Sequence, residues 1–361
     1  MNKKRILIYG AVFVVLALLI YLQFQHWRNF DWGKFLEHTR DLAWRNVVFA
    51  ILLIYFSYIL RAVRWKIFLQ PVRDDVTVAE LVSPTVVGFT GLALLGRAAE
   101  LIRPYLIARR TKLSFSSQLA VLVVERIFDV GAFTVLLVSA IFLPTSLREF
   151  AAARPAYDHW LHLTGYFLSA AVAGLFLAAM AISYRGPAIA DWVQERFSHL
   201  AEGLGHRIAA RIREFSAGLD TIHGPLSFVL LAIASVGMWW SIALAYSEVA
   251  RAYGVALQEM TVSSVLLLIG SSMVGSVLQL PGVGGGSQLA IIEVLDKVFQ
   301  VPRELAVSCG ILLWLVTFMA IAPLGLILAH RERLSLRKVS EEAEHEGEIV
   351  AGLPETPPDA R

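Results

Sequence analysis

The residues of this chain that could do chemistry are charged groups set in apolar surroundings. Glu125, Arg126 and Asp129 interrupt an otherwise apolar run from Leu119 to Leu143. Glu125 and Asp129 are four apart and share one face of a helix. At membrane depth an ionisable side chain costs at least about 2.5 kcal/mol unless it is paired or wetted. These residues either tie neighbouring helices together or serve as counter-charges in a polar cavity, titrating as a substrate moves. Arg97, Glu100 and Arg103 are spaced by three and fall on one face of a helix expected to start near Gly96. The planar fork of arginine donates two parallel hydrogen bonds to a phosphate, and a helix N-terminus adds partial positive charge, so this set suits a phosphate cradle. Arg103, Arg109, Arg110 and Lys112 equally satisfy a basic cytoplasmic loop with no ligand at all. Arg61 and Arg64, three apart at the end of another apolar stretch, either snorkel to headgroups or reach inward toward Gly96.

A second candidate element carries almost no charge. The run Pro281-Gly282-Val283-Gly284-Gly285-Gly286-Ser287-Gln288 breaks an apolar stretch. Glycines there permit positive φ and expose amides that can contact a headgroup or let another helix approach. The run is not a P-loop, because the Lys-Ser/Thr pair is missing, and no strand-helix alternation surrounds it as a dinucleotide site requires. The two breaks are related. Leu119-Ala120-Val121 begins 23 residues after Gly96, and Leu305-Ala306-Val307 begins 23 residues after Gly282. A repeated unit with an offset of 186 is implied. Enzyme signatures are missing: there is no H-E-x-x-H, no G-x-S-x-G, and the single cysteine, Cys309, excludes an internal disulfide or thiol pair. Neither cofactor nor metal is expected.

These elements must be positioned in a bilayer. At 57% apolar and 17% charged, the 361-residue chain falls well below the charged fraction of about 25% typical of soluble domains. The expected fold class is an all-α integral membrane protein. Segments 6–23, 47–69, 117–143, 160–183, 225–249 and 304–329 are long and apolar enough to span. Two more, 81–96 and 261–300, are interrupted. Basic clusters at Lys3 to Arg5, Arg97 to Lys112, Arg196 to Arg213 and Arg331 to Lys338 place those regions, and both termini, in the cytoplasm. With six spans this works if each interrupted segment is a re-entrant helical hairpin, the first from the cytoplasm and the second from outside. The result is an inverted repeat, with halves at about 47–143 and 225–329. Residues 1–46 then form a retained anchor helix and an outer interfacial segment marked by Trp27, Trp32 and Trp44. Residues 184–224 form a cytoplasmic amphipathic linker, and the acidic tail 331–361 is expected to be disordered. With a net charge of only +3, nucleic acid is not an expected partner.

Three ordered motifs carry a family resemblance. Gly96-Arg97-x-x-Glu100-x-x-Arg103-Pro104-Tyr105-Leu106, then Glu125-Arg126-x-x-Asp129, then Pro281-Gly282-x-Gly284-Gly285 resemble the transmembrane region of the lysylphosphatidylglycerol synthase family, also described as flippase-like, over about residues 45–330. The resemblance implies a cell inner-membrane protein that moves a lipid across the bilayer, without the soluble aminoacyl-transfer domain and so without synthase activity. In the family the second motif often ends in a glutamate, whereas here Ser287 and Gln288 follow the glycines. The expected function is a lipid transporter or flippase for an anionic phospholipid or a lipid-linked precursor. The alternatives are a non-catalytic membrane partner of a glycosyltransferase or lipid-modifying enzyme, and a lipid-modifying transferase. The headgroup would meet Arg61, Arg64, Gly96, Arg97, Glu100, Arg103, Glu125, Arg126, Asp129 and the segment carrying Pro281, Gly282, Gly284, Gly285, Gly286 and Gln288. In that arrangement Arg97 and Arg103 hold the phosphate.

Overall fold

The computed structural model describes residues 31–142, the isolated positions 163, 166, 167, 170, 174, 188, 191, 192 and 195, and residues 224–350 without 259, 277–278 and 281–283. The expected anchor at 6–23, the expected span at 160–183, nearly all of the 184–224 linker, the residues beyond 350, and Pro281 and Gly282 of the second break lie outside the described residues. Apart from short connecting loops and two strands of two residues each, β1 (Gln279–Leu280) and β2 (Gly284–Gly285), the described residues are helical.

Helix α1 (Trp32–Arg40) is a short amphipathic segment that starts where the Asp31 side chain accepts the Lys34 N–H. It leads into α2 (Trp44–Leu69), 26 residues with buried Ala50, Ile54, Ala62 and Trp65 on its inner side. Exposed Phe49, Leu52 and Phe56 lie on the outer side, as a helix between protein and lipid requires. Four helical runs among the described residues have the length and apolarity to cross a membrane: Trp44–Leu69, Val78–Leu95, Leu226–Ala252 and Arg303–Arg331. Helix α5 (Phe115–Phe142) has the length, at 28 residues, but carries three charges at its centre. Two of them, Glu125 and Asp129, are buried in the protein.

Helix α3 (Val78–Leu95) begins with a capping box between Thr77 and Glu80 and runs inward to Gly96. Gly96 has φ 83°, a left-handed conformation that favours glycine, and the chain reverses there. A 3₁₀ turn, Arg97–Leu101, and α4 (Ile102–Thr111) form the return leg. The two legs end side by side. Pro84 has no N–H to give the Glu80 carbonyl, and Arg110 of the return leg donates to that carbonyl at 2.7 Å. Arg73, in the loop before α3, donates to the Thr111 carbonyl at 2.8 Å. Midway, a Cβ on Gly88 would lie 2.6 Å from the Cβ of Arg103, so glycine sets how closely the legs pack. The first interrupted segment is therefore a hairpin that enters and leaves at one end of the bundle.

A second hairpin mirrors it. Helix α6 (Gly224–Ala252) packs along α2, and a short turn, α7 (Val255–Gln258), leads to α8 (Val262–Gly275). The chain turns at the β1–β2 pair and returns through α9 (Gly286–Glu293) and a π-helical turn, Val294–Val298. A Cβ on Gly275 would collide with the Gly286 carbonyl, so these legs also touch backbone to backbone. This hairpin enters from the opposite end. The α8 start lies beside the α5 terminus, where Ser263 donates to the Ala140 carbonyl at 3.4 Å, and the α6 terminus meets the start of α2 through Ala43 N–H to Ala252 O at 2.9 Å. Helix α10 (Arg303–Trp314), a π-helical turn (Leu315–Met319) and α11 (Ala322–Arg331) run back along α3. Near the first hairpin's open end Glu332 accepts from Ser83 and, at 2.9 Å, from Arg110.

The tail departs from expectation. Leu336–Val350 forms helix α12 rather than a disordered segment. Leu336, Val339, Ala343 and Gly347 recur on one face, and Val339 and Ala343 are buried against the first hairpin's return leg, around Ile102 and Leu106. The stripe is built of small residues, which a count of large apolar residues overlooks. Tyr105 donates to Glu342 at 2.8 Å across that contact.

Candidate functional site

The charged residues singled out in the sequence converge on one cluster. By the 1.5 Å rise of a helix, Arg61 lies about 12 Å from the end of α2, and Glu125 and Asp129 lie about 15 and 21 Å from the start of α5. In hydrocarbon about 30 Å thick this is close to the middle. Arg64 spans both acids, with Nη2 2.9 Å from Glu125 Oε1 and Nη1 2.5 Å from Asp129 Oδ1. Arg103 approaches Glu125 with both fork nitrogens, Nη1 to Oε1 at 3.2 Å and Nη2 to Oε2. Neither Arg64 nor Glu125 has any exposed surface. Snorkelling is thereby corrected for Arg61 and Arg64: both turn inward. Paired carboxylates on the facing helix offset the desolvation of their guanidinium groups.

Aromatic side chains complete the shell, and these went unread in the sequence. The Arg103 guanidinium lies 4.3 Å from the Trp65 ring centroid and 5.1 Å from that of Phe89. Arg61 lies over the other part of this shell, 4.7 Å from the Phe89 centroid. Trp65 is held in turn by donating Nε1 to Gln118 Oε1 at 2.9 Å. The only sequence signal was complementarity of spacing: arginines three apart on α2 face acids four apart on α5.

At the mouth of the cluster the groups are half exposed. Arg126 Nη2 is 2.8 Å from Glu100 Oε1 on the 3₁₀ turn, and its Nη1 is 3.4 Å from Asp129 Oδ2. Four arginines and three carboxylates are thus joined by ion pairs, one positive charge in excess. Arg97, Glu100 and Arg103 do not act as one cradle. Arg103 is taken up by Glu125 and Glu100 by Arg126, while exposed Arg97 donates from Nη2 to the Ser276 carbonyl at 3.2 Å. That last bond joins the tips of the two hairpins.

The second tip supplies backbone. Gly285 has φ 132°, and its N–H donates to Gln288 Oε1 at 3.0 Å. The amide of Gln288 therefore caps the start of α9 as an acceptor, without the charge a glutamate would bring there. Gly284 pairs with Leu280 in the strand register, and Gly286 presents its carbonyl to Gly275.

This order of elements, a charged broken hairpin and a glycine-rich broken hairpin in an apolar helical bundle, agrees with the comparison of the chain with protein families. The family described as the lysylphosphatidylglycerol synthase TM region matches residues 7–325, a stretch that contains both hairpins and the whole ion cluster. The chain belongs to this family. As a lysylphosphatidylglycerol synthase TM region protein it is a polytopic membrane protein linked to lipid metabolism. No curated protein matches the chain, and no solved structure does.

Proposed function

We propose that this protein carries an anionic lipid across the bilayer, with no covalent chemistry on it. The observation that carries the reading is the meeting of two hairpins from opposite ends, joined through Arg97 and the Ser276 carbonyl beside a cation-rich buried cluster. Broken elements inserted from opposite faces place a site near the midplane that either side can reach in turn. The excess positive charge favours an anionic headgroup, either of a phospholipid or of a lipid-linked precursor. Glu125 and Asp129, the carboxylates a transferase would need as base, are engaged by arginines, which speaks for binding over catalysis. In this reading the membrane is the cell inner membrane, and the basic residues Arg109, Arg110, Lys112, Arg331 and Arg333 at the first hairpin's open end support a cytoplasmic side for that end.

The test is reconstitution in vesicles with a headgroup- or chain-labelled lipid and an impermeant reductant that bleaches only the outer leaflet. Label on an anionic glycerophospholipid should become bleachable beyond the outer-leaflet share in protein-containing vesicles. Equal protection with and without protein, under pH and voltage gradients of both signs, would overturn the reading.

A further inference from the structure

Three arginines are buried in the cluster, but their donors are used unequally. Both fork nitrogens of Arg64 are held by Asp129 and Glu125, and both of Arg103 by Glu125. The half-exposed Arg126 likewise spends one fork nitrogen on Glu100 and the other on Asp129. Arg61 differs. It is 8% exposed, and besides its Nε, which Arg64 and Arg126 likewise leave unpaired, its Nη1 has no hydrogen-bond partner; its nearest acid, Asp129 Oδ2, stands at 3.7 Å from Nη1, beyond hydrogen-bond reach. Asp129 is already shared with Arg64 and Arg126. A buried guanidinium is costly unless acceptors meet its planar donors, and among the described residues Arg61 has, beside the longer ion pair to Asp129, the face of Phe89.

We infer that Arg61 is the anion-binding residue of the site, and that its ligand is a singly charged phosphodiester that meets the unused donors of its guanidinium group. The inference rests on the reading of the cluster as a lipid-anion site and assigns roles within it. Arg64 and Arg103 are internal counter-ions that hold α2, α4 and α5 together, and Arg61 is the cation left over for cargo. Two phosphate oxygens match two guanidinium nitrogens in one plane, and one ligand charge cancels the single positive charge in excess. Loss of Arg61 leaves Asp129 with two arginines, so the fold survives its substitution.

The experiment is binding to the purified full-length chain in neutral detergent, followed by calorimetry or native mass spectrometry. The probes are dihexanoyl phosphatidylglycerol (one negative charge), dihexanoyl phosphatidylcholine (net neutral) and inorganic phosphate. Wild type should bind the first more tightly than the second, and Arg61→Gln should weaken the first about ten- to a hundredfold, as loss of a charge-assisted bidentate pair does. Arg61→Lys keeps the charge but not the fork and should still lose several-fold; it also serves if the glutamine variant fails to fold. Displacement of the lipid probe by millimolar phosphate would show that the phosphate group alone is recognised, and absence of displacement would show that the lipid body contributes, the anion site standing in both cases. Unchanged binding of the anionic probe in both Arg61 variants, or equal and Arg61-independent binding of the neutral one, overturns the inference. Vesicle transport separates the two proposals. Wild-type transport that persists in Arg61→Gln removes the role of Arg61 and leaves the transporter reading, whereas Arg61-dependent binding without any wild-type transport does the reverse.

Discussion

The two hairpins do the same topological job with opposite materials. The first, α3 to α4, reverses at a single glycine and packs its legs against charge: Arg103, Glu100 and, across from them, Glu125, Arg126 and Asp129. The second, α8 to α9, reverses through glycine-rich backbone, and its tip is held by amides, one carbonyl-to-glycine contact and the side chain of Gln288. In low dielectric a charged group fixes position strongly because its loss strands a partner, while backbone contact fixes position only sterically. The difference teaches that the first hairpin is the specific partner and the second the conforming one. They touch through Arg97, a charged side chain that crosses from the first tip to the second tip's backbone.

The largest effect expected from this contrast is at Glu125. Glu125→Ala leaves Arg64 and Arg103 buried without their shared acid, and breaking a buried pair this way costs about 3–5 kcal/mol. Little folded protein should survive extraction, as read by size-exclusion profile and thermal unfolding. A well-behaved Glu125→Ala protein with native unfolding temperature would break the comparison at its centre. At the second hairpin the equivalent insult is steric. Gly275→Val drives a side chain into the Gly286 backbone and should destabilise by about 1–3 kcal/mol, lowering the unfolding temperature less than Glu125→Ala does.

A smaller effect is expected where the hairpins meet. Arg97→Ala removes one exposed side-chain bond to a carbonyl, about 0.5–1.5 kcal/mol at most, so unfolding should barely shift. Vesicle transport should nevertheless fall if the bond couples the tips. Transport equal to wild type would show that the tips move independently.

The bundle's class, the two breaks and the charged residues were legible in the sequence because each is a local departure from an apolar background. Charge in a long apolar run and glycine in a helix are signals that need no knowledge of partners. What was not legible depends on who faces whom. Whether Arg61 and Arg64 snorkel or turn inward stayed open in the sequence because their partners, Glu125 and Asp129, lie more than sixty residues away on another helix. Arg103 read as a phosphate ligand for the same reason, its fork being already occupied by Glu125. The stacking of Arg103 on Trp65 left no trace, since an aromatic in a membrane helix is ordinary. Helix α12 was missed because its buried face is made of Val339, Ser340, Ala343 and Gly347, residues that look like tail until a partner surface is given.

The smallest effect lies at the open end of the first hairpin, outside the membrane-spanning segments, and separates that end from the centre. Arg73 there grips Asp75 with two nitrogens, each at 2.7 Å, and uses Nη1 to hold the Thr111 carbonyl of the return leg. The hydrogen bonds from Arg73, more than the charge itself, pull the Asp75 carboxyl below its ordinary value of 3.8. A depressed carboxyl contributes its stabilisation in full above that ordinary value and loses it as pH falls through the lower, folded one. Because the pair is exposed, the effect on global stability should vanish into noise, and a local probe is needed. Hydrogen exchange at residues 70–77 and 111–113 should rise as pH drops below 3.8 through the lowered value of the folded state, after correction for intrinsic exchange rates. Exchange at Gly285, held by the neutral Gln288 amide, provides the internal reference. Asp75→Asn should show raised exchange at neutral pH and a flattened response to acid. If the acid response in 70–77 persists in Asp75→Asn, the clasp at that end is not this pair, and another acid there, such as Glu332 beside Arg110, carries the response.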